Sequence, residues 1–203
     1  FKGTGLKDPV TAEKIQISEG ICLIVEAEGP MLAKKAYDIY LRRCGIKKLG
    51  SQLKKIMNSA IQYAINNNQI ETEDEWGKGG LIYSIVRIKN SAPIKLRKLG
   101  SRLFDEIPPS ELQTASILLK KETMELGGEE NLRDVLNFYG LKRLTPSVKA
   151  SFKEANRIRF AYVDKYFKQN KSLDPTPSAK SIKVSENVKK TLDGPSRYFP
   201  PKS

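Results

Sequence analysis

The sequence predicts a mainly α-helical protein with one small β-hairpin, built from two related units. Three observations carry this. In several separate segments apolar residues recur at three- and four-residue spacing, the period of a helix with one buried face. One stretch around a Gly-rich loop is instead short and β-branched, the mark of a hairpin. And a turn, Gly45-Ile46-Lys47-Lys48-Leu49-Gly50, returns 95 residues later as Gly140-Leu141-Lys142-Arg143-Leu144-Thr145.

Residues 1–13 hold Gly, Pro and Lys without periodicity and read as a lead-in linker. From Ala12 to Glu28, Ile15, Ile17, Ile21, Cys22, Ile24 and Val25 predict a helix, with Ser18 placed to cap a turn near its start and Gly29-Pro30 to stop it. A second helix is predicted from Met31 to Cys44 on Leu32, Ala36, Tyr37, Tyr40 and Leu41. Gly45 ends it, since Gly takes the left-handed conformation, and Arg42 and Arg43 suit a helix C-terminus. A third helix follows Gly50 with Ser51 as N-cap. Leu53, Ile56, Met57, Ala60, Ile61, Ala64 and Ile65 form its core stripe, and Asn66-Asn67-Asn68 ends it. A strand at 69–73, a Gly-rich loop at 74–80 and a β-branched strand at 81–88 complete a hairpin. Three helices and then a hairpin is the order of a winged helix, with the tight turn between the second and third helices as a helix-turn-helix core. This first unit is expected over residues 14–90.

A second, winged-helix-like unit is expected over 91–169. After a basic, Pro-punctuated stretch, Ile107-Pro108-Pro109-Ser110-Glu111-Leu112 opens a helix to about Leu126, with Pro and Glu suited to a first turn. Gly127-Gly128 breaks it. A helix from Glu129 to Tyr139 carries Leu132, Val135, Leu136 and Phe138, and the last is predicted from Pro146 to Lys168. Residues 170–203 read as a flexible tail or extended arm. The fold class is thus mainly α with a small hairpin, in tandem winged-helix or helix-turn-helix units. A third echo of the turn, Leu96 to Ser101, has no helical pattern before it and is attributed to chance.

Thirty-six Lys and Arg against twenty-three Asp and Glu give a formal net charge of +13, which favours polyanion partners. Histidine is absent, which removes Ser-His-Asp and Cys-His catalysis and His-ligated zinc. No Gly-x-x-x-x-Gly-Lys-Ser/Thr occurs, so ATP binding by that route is not expected, and no cofactor is implied. No apolar run is long enough to span a membrane and no signal peptide opens the chain, and a start at Phe rather than Met is what a fragment or a processed product would show. Cys22 and Cys44 sit in apolar helical patterns and read as reduced residues of a cytosolic protein.

The cations cluster. Residues 42–55 hold Arg42, Arg43, Lys47, Lys48, Lys54 and Lys55 with no acid. Residues 87–102 hold Arg87, Lys89, Lys95, Arg97, Lys98 and Arg102, again with none. Residues 142–159 hold Lys142, Arg143, Lys149, Lys153, Arg157 and Arg159 against Glu154. The first and third occupy the place where a helix-turn-helix meets phosphates and groove. The predicted contacts of the first unit are therefore Arg43, Lys47, Lys48, Lys54 and Lys55, with Ser51 and Gln52 at the helix start and Lys78 at the wing tip. Those of the second are Lys142, Arg143, Lys149 and Lys153, with Ser147. Base readout needs Arg, Asn or Gln at base edges. Gln52, Asn58 and Ser147 are the only candidates, so backbone-directed binding of weak sequence specificity is expected, with DNA favoured. Trp76 is expected to cover the core rather than stack on a base, and Tyr37, Tyr40 and Tyr139 to be core.

Four motifs in order resemble a known family. Glu28-Gly29-Pro30, Gly45 to Ser51, Ile107 to Leu112 and Gly140 to Leu144 are similar to the pattern of a domain of unknown function. That domain lies at the C-terminus of large bacterial superfamily 1 helicase-like proteins. The resemblance covers about residues 18–160 and implies helicase or nuclease parts elsewhere in a parent chain, which would be partners of this one. Two other classes are weighed against nucleic-acid binding. One is a protein-docking or oligomerisation module. The other is a metal-dependent nuclease fragment built on Asp105, Glu106 and Glu111 with Lys120 and Lys121, whose acids the helix dipole alone also explains.

Overall fold

The computed structural model describes residues 5–121, 124, 126–157 and 163. The expected tail at 170–203 and the end of the last helix lie outside them. The elements run α1 (Lys14–Glu28), β1 (Met31–Leu32), α2 (Ala33–Arg43), α3 (Ser51–Asn66), β2 (Ile70–Glu73), β3 (Ile85–Ile88), α4 (Pro109–Leu119), α5 (Glu129–Phe138) and α6 (Pro146–Arg157). Single 3-10 turns stand at Leu81–Tyr83 and Phe104–Glu106. The chain is mainly helical, with a small antiparallel sheet of order β1-β3-β2.

Several boundaries differ from the sequence reading. Met31 and Leu32 do not begin a helix but pair with Val86 and Ile85, and the Ala33 N–H continues the pairing to the Ser84 carbonyl. That strand exists because β3 offers it an edge, which no local period reveals. Ser18 is buried within α1 and caps nothing; at the start of that helix the Glu13 N–H donates to the Gln16 side chain instead. Gly50, not Ser51, is the N-cap of α3. The predicted second strand is partly a 3-10 turn, so β3 starts only at Ile85. The helix opened by Pro109 stops at Leu119 rather than near Leu126, because the Asn131 amide donates to the Ser116 carbonyl (2.9 Å) that would have continued it. Asn131 also accepts from the Gly127 N–H, which fixes the way into α5.

Two buried clusters form. In the first, Ile17, Ile21 and Ile24 of α1 meet Tyr37 and Tyr40 of α2, Met57 and Ile61 of α3, and Val86 of β3. In the second, Leu112 and Ala115 of α4 meet Val135 and Leu136 of α5 and Phe152 and Ala155 of α6, over Phe104 and Ile107. The 95-residue interval extends from the turn to these cores. It separates the starts of α1 and α4, the ends of α2 and α5, and the starts of α3 and α6. Buried Ile17, Leu41, Met57 and Ala60 are answered at that interval by buried Leu112, Leu136, Phe152 and Ala155. One exchange shows compensation. A Cβ on Gly20 would come within 2.6 Å of the Tyr40 ring. Val135 replaces Tyr40 in the second cluster, and there the glycine's counterpart is Ala115.

Polar contacts join the two clusters. Lys35 pairs with Glu106 (2.8 Å) and donates to the Ser101 carbonyl (2.9 Å). Buried Glu75 accepts the N–H and hydroxyl of Ser110 in the first turn of α4 (2.8 and 2.9 Å). Arg97 donates to the carbonyls of Glu28 and Pro30. The basic stretch 87–102 is therefore not a uniform solvated face: Arg97 is half-buried, Arg102 is buried and Arg87 pairs with Glu71. Cys22 and Cys44 are free and half-buried. Among the described residues no helix is long and apolar enough to cross a membrane.

Candidate nucleic-acid interface

The two turns share one backbone solution. Gly45 and Gly140 have φ of +78° and +77°. The Gly45 and Ile46 N–H groups donate to the Arg42 and Leu41 carbonyls, and those of Gly140 and Leu141 donate to the Asn137 and Leu136 carbonyls. This paired closure satisfies carbonyls that a helix end leaves open, and only glycine takes the left-handed step cheaply. Each next helix then starts with the same bond, from Lys54 N–H to the Gly50 carbonyl and from Lys149 N–H to that of Thr145. Thr145 adds a side-chain cap to the Val148 N–H (3.3 Å), which Gly50 cannot. The aliphatics of each turn face its core and the paired cations face solvent.

Around the first turn lies an open cleft of about 520 Å³. Its apolar floor is Leu41, Ile46, Leu49 and Ile82, and its rim is Lys34, Asp38 and Arg42 from α2 with Lys47, Lys48 and Lys54. Lys34 pairs with Asp38 (2.8 Å). Among the described residues Lys47, Lys48, Lys54 and Lys55 have no ion pair. Arg43, Ser51, Gln52 and Lys55 are exposed but do not line this cleft, and Lys55 borders a separate groove with Pro9, Val10 and Lys14. Lys34 and Arg42 are the residues the sequence reading did not select. The signal was present in their spacing, two helical turns apart on one face of α2, but nothing local says that this face borders the turn.

The other predicted contacts divide. Lys78 is exposed, with its ammonium 5.1 Å from the centre of the half-buried Trp76 ring, which belongs to neither core cluster. Asp74 holds that loop by accepting the Lys78 and Gly79 N–H groups (3.2 and 2.7 Å). In the second turn Lys142 and Arg143 are exposed, as are Ser147 and Lys153. Lys149 reaches Glu129 (3.3 Å), which also accepts from Arg133 (2.8 Å). The bonds from Arg133 and then Lys149 hold the Glu129 carboxyl below the usual carboxylate range. Asn58 is not free to read a base, since it accepts the Tyr37 hydroxyl (2.7 Å). Tyr37, Tyr40 and Tyr139 are buried, as expected.

Two of the three carboxylates weighed as a metal centre are occupied. Glu106 takes Lys35 and the Leu103 N–H, and Glu111 takes Arg102 and the Tyr139 hydroxyl. Asp105 is exposed, and Lys121 pairs with Asp134. Among the described residues no group of three or more His, Cys, Asp or Glu side chains is gathered as a metal site requires. No protein-family model matches this chain, and no curated protein or solved structure is detectably similar to it.

Proposed function

We propose that this chain is a non-catalytic nucleic-acid-binding module that holds duplex DNA through its phosphates with little sequence preference. The order helix, strand, helix, helix, strand, strand in the first unit, with its β1-β3-β2 sheet, supports a winged-helix reading. The repeat of three helices and the turn supports a related second unit. In such units the turn and the start of the following helix meet phosphates and groove. The observation that carries the reading is the exposure of Lys47 and Lys48 on the turn and of Lys55 in the helix after it, without ion pairs among the described residues. The motif order from Glu28 to Leu144 supports a place within a larger bacterial helicase- or nuclease-type protein.

The test is a salt titration of the chain on two unrelated duplexes. Each phosphate contact releases condensed counterions, so roughly four to six contacts give a slope of about −4 to −5 in log affinity against log salt. Lys47→Ala with Lys48→Ala should weaken both duplexes alike and flatten the slope by up to about two. Absence of binding by the unaltered chain at low salt would overturn the proposal and favour a protein-docking module.

A further inference from the structure

We infer that the phosphate backbone is gripped by the first unit alone, in a cleft that Lys34 and Arg42 of α2 complete, while in the second unit Glu129 takes up the cations Arg133 and Lys149 at the matching place. This rests on the nucleic-acid reading and makes it asymmetric. The helix starts point the same way. A helix N-terminus carries partial positive charge and favours acids. α5 obeys this with Glu129 and Glu130 in its first turn, whereas α2 opens with Lys34 and Lys35 and no acid. Lys35 is accounted for by Glu106. Lys34 is half-exposed at the cleft rim, against its own helix dipole, and Asp38 (2.8 Å) offsets it in part, so an external anion in the cleft would add to that offset.

At the 95-residue interval the charges reverse. Lys34 and Asp38 form one i,i+4 pair, and their counterparts Glu129 and Arg133 form the same pair with the signs exchanged. Arg42 is answered by Asn137. Lys54 faces a rim of cations, but its counterpart Lys149 is held by Glu129. The first cleft thus sets five cations against Asp38, over an apolar floor that lowers the local dielectric and concentrates their field. At the second turn Arg133 and Lys149 are both bound to Glu129, so among the described residues Lys142 and Arg143 are its cations without an ion pair, against Arg42, Lys47, Lys48 and Lys54 at the first. Cations spread over α2, the turn and α3 suit consecutive phosphodiesters rather than one small anion.

The experiment is the salt titration of the chain on short duplex DNA, with duplex RNA of the same sequence in parallel. Lys34→Ala with Arg42→Ala should flatten the slope by up to about two, and Lys34→Arg with Arg42→Lys should restore it. Lys142→Ala with Arg143→Ala should leave the slope unchanged. Glu129→Gln, which frees both Arg133 and Lys149, should let the second unit add contacts and steepen it by up to about two. Binding to either polymer that depends on Lys34 and Arg42 supports the inference, and the ratio of affinities names the polymer. If the chain binds but the Lys34/Arg42 variant matches the parent, or the Lys142/Arg143 variant loses as much, the inference falls while the nucleic-acid reading stands. If the parent binds neither polymer, both fall.

Discussion

Arg102 sits in a run of cations that resembles, residue by residue, the run carrying Lys47 and Lys48, yet its role is opposite. It is 8% exposed, and its guanidinium donates to both Glu111 oxygens (2.7 and 3.0 Å) and to the carbonyls of Arg97 and Lys98. Glu111, 2% exposed, also accepts the Tyr139 hydroxyl (3.2 Å). Burial first, and the Glu111 charge next, push that hydroxyl well above its ordinary value, so it stays a neutral donor. Arg102→Ala strands the carboxylate beside the second core and removes a donor from the two carbonyls. Breaking one side of a buried pair costs about 3–5 kcal/mol, a large part of a total near 5–15 kcal/mol. With a urea m-value of about 2 kcal/mol/M, the unfolding midpoint should fall by about 1.5–2.5 M. Arg102→Ala with Glu111→Ala together should cost less than the sum of the singles, since neither charge is then left alone. Duplex affinity of the folded variant should not change. A loss below about 1 kcal/mol, the range of an exposed pair, would refute the argument that this ion pair is buried and structural.

Gly45→Ala and Gly140→Ala should each destabilise by about 1 kcal/mol in thermal unfolding, because both turns need a positive φ; a neutral result at either would break their equivalence. Gly20→Ala should be net destabilising by about 1–2 kcal/mol, overpacking against Tyr40 outweighing the gain of about 1 kcal/mol in helix propensity. A stabilised variant would show that the ring yields. Arg87, and then the Asn90 N–H, hold the Glu71 carboxyl below its reference value of 4.5. Its folded-state value being depressed, its contribution is full above 4.5 and disappears as pH falls through the lower folded value. Glu71→Gln should therefore flatten the acid limb of the stability profile, and an unchanged limb would remove the pair from it.

The sequence by itself determined the parts whose causes are local. The apolar periods of α2, α3, α5 and α6, the left-handed glycines 45 and 140, and the repeat between them depend on residues a few positions apart. Only the tertiary structure decided the rest. The two-residue strand at Met31 has no propensity of its own and exists through β3. The end of α4 is set by an amide twelve residues after Leu119, on another helix. Asn58 was spent on Tyr37 rather than left for a base. Above all, Lys47 and Arg102 are cations in equally basic runs, and local charge pattern treats them alike. Burial, and a carboxylate brought within reach by the fold, made one a structural ion and left the other on the surface, because the electrostatic role of a side chain is set by its neighbours in space.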